Sequence, residues 1–150
     1  MINQEAGRPG GDAMIHQLEK QSAIDQAYNA PRDAAGQLIY LHPVLTLARY
    51  SQGVHDFVLA GKCEWLLDIL VEPIKIFREA SDFGHCARAE IGVSCRNGSA
   101  AIDLDHGSGS AWRFRTYATL PDGSWKFIMV RGDPATGRDN LVCLLLPSEI

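Results

Sequence analysis

No stretch of this chain stays apolar for the roughly 20 residues that a membrane-spanning helix needs. The longest candidate segment, Trp65 to Val71, is broken by Asp68 and stopped at Pro73. The N-terminus lacks a basic segment leading into an apolar one, so no secretory signal is expected. The four cysteines, Cys63, Cys86, Cys95 and Cys143, form no Cys-x-x-Cys pair, which removes the usual zinc and redox spacings. A Gly-x-Ser-x-Gly elbow and a glycine-rich loop entering a helix are both missing, and with them the familiar signals of acyl transfer and phosphate binding. Charge of one sign is scarce too: 14 basic against 18 acidic side chains leave a net charge of −4. That is too little positive charge for a nucleic-acid backbone binder and too little negative charge for an imitator of one. The expectation is a cytoplasmic globular chain with reduced thiols, bound to no membrane, metal or cofactor.

What is present fits one hydrophobic core. A chain of 150 residues that is 46% apolar can bury enough surface to fold without staples. Residues 1–12, rich in Gly, Pro and polar groups, read as a loose leader, with Met14 as an alternative start; residues 13–150 read as one domain. A helix is predicted from Asp12 to Tyr28, ending before Pro31, and short extended pieces over 38–40 and 44–50. Ser51 caps a helix that stops at Gly61, and a second helix runs from Lys62 to Val71, ended or kinked by Pro73, after which Ile74, Ile76 and Phe77 begin another amphipathic piece toward Ala80. After residue 80 the period shortens to two. Strands are expected over 89–96 and 101–105 around the hairpin signal Asn97-Gly98, and over 112–119 and 125–131 as a further pair around Pro121-Asp122-Gly123. Leu141 to Leu146 closes the chain as an apolar strand. Helices first and strands after predict an α+β fold, with N-terminal helices packed on a C-terminal antiparallel, curled sheet.

No set of side chains in this pattern spells catalysis. His85-Cys86 and the Asp103, Asp105, His106 cluster lack metal-ligand spacing. Cys63, beside Lys62 near a helix start, is a thiol without a base in reach and reads as buried. Two charged groupings stand out instead. Glu64, Asp68 and Glu72 recur at helical spacing, an arrangement that costs roughly 0.2–0.5 kcal/mol per pair and so either faces water or meets a basic partner. Arg113, Arg115 and Tyr117 share the outward face of one strand, with Lys126 and Arg131 expected nearby. Trp112, Phe114, Trp125 and Phe127 are expected to fill the core of the strand pair, or to form an exposed patch if no helix covers them.

The run SQGVHDFVLAGKCEWLLDIL and the closing LLLPSEI carry a resemblance. Through Ala60, Gly61, Trp65, Leu66, Leu67 and Asp68, and then Leu144 to Glu149, the chain resembles a family of small, functionally uncharacterised bacterial proteins borne on plasmids and prophages. Glu64 stands where that family carries an aromatic residue. The resemblance implies a shared fold and a mobile-element origin, and it brings no catalytic residues. The expected function is therefore a non-enzymatic protein-binding factor, an inhibitor of a bacterial defence system of the anti-CRISPR kind that blocks an effector surface. Its candidate contact residues are Glu64, Asp68, Glu72, Arg113, Arg115 and Tyr117. The pattern also admits two alternatives. One is a small enzyme or ligand-binding domain with a pocket near His55, Cys63 or His85; the other is a homodimer joined through the last strand.

Overall fold

The structure, a computed structural model, describes residues 10–30, 40–46, 48–79, 88–105, 110–131 and 141–150. Helix α1 (Gly10–Asn29) starts inside the stretch expected to be a leader, whose first nine residues lie outside the described ones. Strands β1 (Tyr40–Leu41) and β2 (Ala48–Tyr50) lead into α2 (Gln52–Gly61), α3 (Glu64–Ile69) and α4 (Val71–Glu79). Strands β3 (Arg88–Arg96), β4 (Ser99–Asp105), β5 (Ser110–Tyr117), β6 (Gly123–Arg131) and β7 (Val142–Leu145) follow, and a 3-10 turn (Pro147–Glu149) closes the chain. The α+β class holds. Among the described residues the sheet is open, seven-stranded and ordered β1-β2-β7-β6-β3-β4-β5. Among the described residues no helix is long and apolar enough to cross a membrane.

Local chemistry explains most of these elements. Ser51 is extended and its hydroxyl accepts from the Val54 amide, capping α2. Asn97 and Gly98 both take positive φ, 53° and 77°, the turn that lets β3 and β4 pair without splaying. The end of α2 departs from expectation: Lys62, not Gly61, carries the left-handed φ of 50°. Gly61 serves close packing instead, since a Cβ there would lie 2.7 Å from Leu120 and 3.0 Å from the Cys63 sulfur. The second helix and the amphipathic piece expected after it are both present, as α3 and α4, but the break between them comes earlier than Pro73. The chain breaks at Leu70, and Pro73 sits in the first turn of α4, where its missing N–H leaves no bond unmade. Buried His42 supports that break. Its Nδ1 accepts from the Val44 and Leu45 amides at 3.1 Å, so Nε2 carries the proton and donates to the Leu67 carbonyl at 2.8 Å.

Two features of the sheet correct the expected arrangement. It is mixed rather than antiparallel, because β2 runs parallel to β7, and the Ser51 amide extends that ladder to the Leu144 carbonyl. Parallel pairing needs a long connection, and here three helices and four strands, α2 to β6, lie between the two in sequence. The second correction matters more. Strand β6 does not pair with β5 but with β3 on one side and β7 on the other. The β5–β6 connection passes over the tip of the β3–β4 hairpin, held by Ala118 N–H to the Gly98 carbonyl and Asn97 N–H to the Asp122 carboxylate, both 2.9 Å. This crossing lets Trp125 and Phe127 of β6 meet Phe57 of α2 edge-on at 5.7 and 5.1 Å. It leaves β5 at the sheet edge, with one neighbouring strand among the described residues.

One cluster of buried side chains unites Ile24 of α1, Val54 and Phe57 of α2, Leu66, Ile74 and Phe77 of the next helices, and the inward residues of β3, β4, β6 and β7. Strand β7 is buried throughout and lies between β2 and β6, so the expected homodimer through this strand loses its edge. Buried Glu149 ties the terminal turn to α2. Its carboxylate accepts from the Ser51 hydroxyl at 2.5 Å, the Leu146 amide at 2.8 Å and the Gly53 amide at 3.2 Å. A negative charge at a helix start suits the dipole, and Gly53 leaves room for it: a Cβ there would come within 2.8 Å of the carboxyl carbon.

Candidate functional site

Among the described residues, the outer side of β5 and the outward face of β4 and β5 bring Arg113, Arg115 and Tyr117 together. Register sets Asp103 opposite Arg113, Ala101 opposite Arg115 and Ser99 opposite Tyr117. Arg113 and Asp103 form an exposed ion pair at 3.5 Å, which contributes little to stability in water. Arg115 makes no hydrogen bond or ion pair among the described residues, and Tyr117 is 92% exposed. A shallow groove of about 260 Å³ runs between the strands, lined by Ala101, Asp103, Arg113 and Arg115 among others.

The opposite side of β5 is half finished. Ile102 and Ala100 of β4 are buried, but Phe114, directly opposite Ile102, is 44% exposed. Trp112 stacks on Phe114 with ring centroids 5.9 Å apart, and only Trp112 packs against the core. The expectation that four aromatics fill one core therefore holds for Trp125 and Phe127 and fails for Phe114. β5 lies beyond the part of the sheet that Phe57 covers.

The other charged residues separate. Glu64 and Asp68 lie exposed one turn apart on α3, while the break at Leu70 puts Glu72, also exposed, on α4. The acidic row is therefore not one continuous helix face. Lys126 pairs with Glu90 at 3.4 Å on the wet face of the sheet. Arg131 leaves that face entirely: its guanidinium donates to the Phe77 carbonyl and lies 4.9 Å from the centre of the Phe77 ring. Lys126 and Arg131 do not join the β5 arginines in one basic patch.

Groups with nucleophilic or acid–base chemistry are placed otherwise. Cys63 is fully buried and its sulfur lies against the Val58 carbonyl; burial, then the Glu64 carboxylate, push its thiol up to about 12. Such a thiol stays protonated and unreactive at neutral pH. Cys95 is likewise pushed up, to about 11, by burial and then by Asp122. His55 stacks on Tyr40 with centroids 3.9 Å apart, and Tyr40 stacks on Tyr50. Nothing local in the sequence joins these three rings, because the β1–β2 pairing that aligns Tyr40 with Tyr50 spans a turn without a strong hairpin signal. His85, Cys86 and His106 lie outside the described residues, and among the described ones no three His, Cys, Asp or Glu side chains gather as a metal site.

Gly92, in the middle of β3 on the wet face, has open space where a Cβ would be. A strand interior gains from a β-branched residue, so Gly92→Thr is expected to stabilise the protein by about 0.5–1 kcal/mol in urea unfolding. A loss of stability would show that this position needs its glycine.

Compared with protein-family models, curated proteins and solved structures, the chain matches none.

Proposed function

We propose that this chain is a non-enzymatic protein-binding factor and that the β4–β5 edge is its contact surface. The observation that carries the reading is the unfinished state of β5: an edge strand with Arg115 unpaired among the described residues, Tyr117 in solvent and Phe114 half covered. Protein partners fit such a mixture better than nucleic acid does. Asp103 and Asp105 stand in β4 beside the arginines and oppose a phosphate backbone. Aromatic and arginine side chains are the residues that protein interfaces favour. The resemblance to mobile-element proteins gives the proposal its specific form, an inhibitor of the anti-CRISPR kind that covers an effector surface of a cytoplasmic host defence complex. That form rests on the resemblance alone.

Paired charge reversals test the surface. Tagged wild-type protein expressed in a bacterial host with its defence complexes should retain a protein partner through purification. Arg113→Glu with Arg115→Glu should lose that partner with the melting temperature unchanged, and Glu64→Lys with Asp68→Lys should keep it. The reverse pattern would move the contact surface to α3, and retention by both pairs would remove it from either.

A further inference from the structure

We propose that the free side of β5 takes up an extended segment of the partner, alternating acidic and apolar residues, as an additional strand of the sheet. This rests on the protein-binding reading and specifies how the partner is held. The backbone phase of β5 is the first argument. Ala118 N–H bonds to the Gly98 carbonyl at 2.9 Å, one step beyond the Ser99–Tyr117 pair of the β4–β5 ladder. Antiparallel ladders alternate bonded and non-bonded pairs. Thr116, Phe114 and Trp112 therefore exchange backbone bonds with β4, while Arg113, Arg115 and Tyr117 turn theirs outward, where no described strand lies. Their N–H and C=O groups recur every roughly 7 Å, the spacing an incoming strand matches.

Side-chain placement sets the chemistry of that strand. Residues opposite Arg113, Arg115 and Tyr117 share their face of the sheet, so carboxylates there would meet the unpaired Arg115 guanidinium and the exposed Arg113. The alternate residues fall on the other face, beside Phe114, and are apolar. A second copy of this chain is disfavoured in the central registers of β5. Antiparallel pairing of β5 with itself, centred on Arg113, Phe114 or Arg115, sets an arginine directly opposite an arginine, which disfavours the pair.

A fluorescent peptide alternating Glu and Val is the probe, with a Lys/Val peptide and a version N-methylated at its glutamates as controls. The Glu/Val peptide should bind, and both controls should bind at least about tenfold more weakly. Arg115→Pro should abolish binding, because that N–H makes no bond to β4 and proline is tolerated there on an edge strand, whereas Arg115→Ala should only weaken it several-fold. Comparable binding of the Lys/Val or N-methylated peptide would overturn the proposal, and these two peptides decide the matter even if Arg115→Pro fails to fold. It would also be overturned by an oligothymidylate that binds wild type and Arg115→Pro alike, or by a dimer in light scattering that Arg115→Pro dissolves. Should no peptide bind while the double arginine reversal still loses the partner, strand addition falls and the protein-binding reading stands.

Discussion

Replacing Phe57 with alanine is expected to destabilise the protein by about 3–5 kcal/mol, a large part of what a domain of this size has. Phe57 is fully buried on α2 and touches rings on three sides: Tyr28 of α1 at 6.1 Å, Trp125 at 5.7 Å and Phe127 at 5.1 Å, each at a steep interplanar angle. Truncation removes the transfer gain of the ring and leaves a cavity whose walls are held by β6 and by α1. The edge-to-face contacts add about 0.5–1.5 kcal/mol per pair. Leu59, two residues along the same helix, is 58% exposed, and Leu59→Ala should change stability by no more than about 0.5 kcal/mol. Urea denaturation of both variants checks the contrast. Similar losses at the two positions would mean that α2 does not face the sheet through Phe57.

Removal of the Glu149 carboxylate should cost nearly as much, about 3 kcal/mol or more for Glu149→Ala, because each buried donor left without an acceptor costs about 1–3 kcal/mol. The Gly53 and Leu146 amides and the Ser51 hydroxyl all donate to this one group. Gly53→Ala should cost about 1–3 kcal/mol by overpacking, since the new Cβ would meet the carboxyl atoms at 2.8–2.9 Å. The two losses should not add. Once Glu149 is alanine the obstruction is gone, and Gly53→Ala in that background should be neutral or gain from the better helix propensity. A double-mutant cycle with near-zero coupling would show that the carboxylate does not sit at the start of α2.

These contacts mark the boundary between what local pattern carries and what only tertiary structure supplies. The Ser51 cap, the Asn97-Gly98 turn and the alternation of β3 to β6 are written in neighbouring residues, and each element appears close to its expected span. The α+β class follows from their order. Choice of strand partner does not, because Trp125 to Arg131 alternates equally well beside β5 or beside β3. The need to place Trp125 and Phe127 over Phe57 decides it, and no local spacing expresses that need. The break at Leu70 was hidden for a similar reason. Glu64, Asp68 and Glu72 have helical spacing, but the helix carrying the last of them restarts at Val71, with His42 supporting the carbonyl end of α3 from a distant turn. Arg113, Arg115 and Tyr117 were legible as an outward face. Their position on an edge was not, although charged side chains on a strand are a known device for protecting an edge, and that signal pointed the right way.

Amide hydrogen exchange reads residue by residue whether β5 offers an open backbone edge to a partner. In the free protein the amides of Arg113, Arg115 and Tyr117 should exchange rapidly while those of Phe114 and Thr116, bonded to β4, are protected. Addition of the partner or of the Glu/Val peptide should slow the first three and leave the other two unchanged. Uniform protection along β5 in the free protein, or no slowing at Arg113, Arg115 and Tyr117 when the partner binds, would show that no strand adds to this edge.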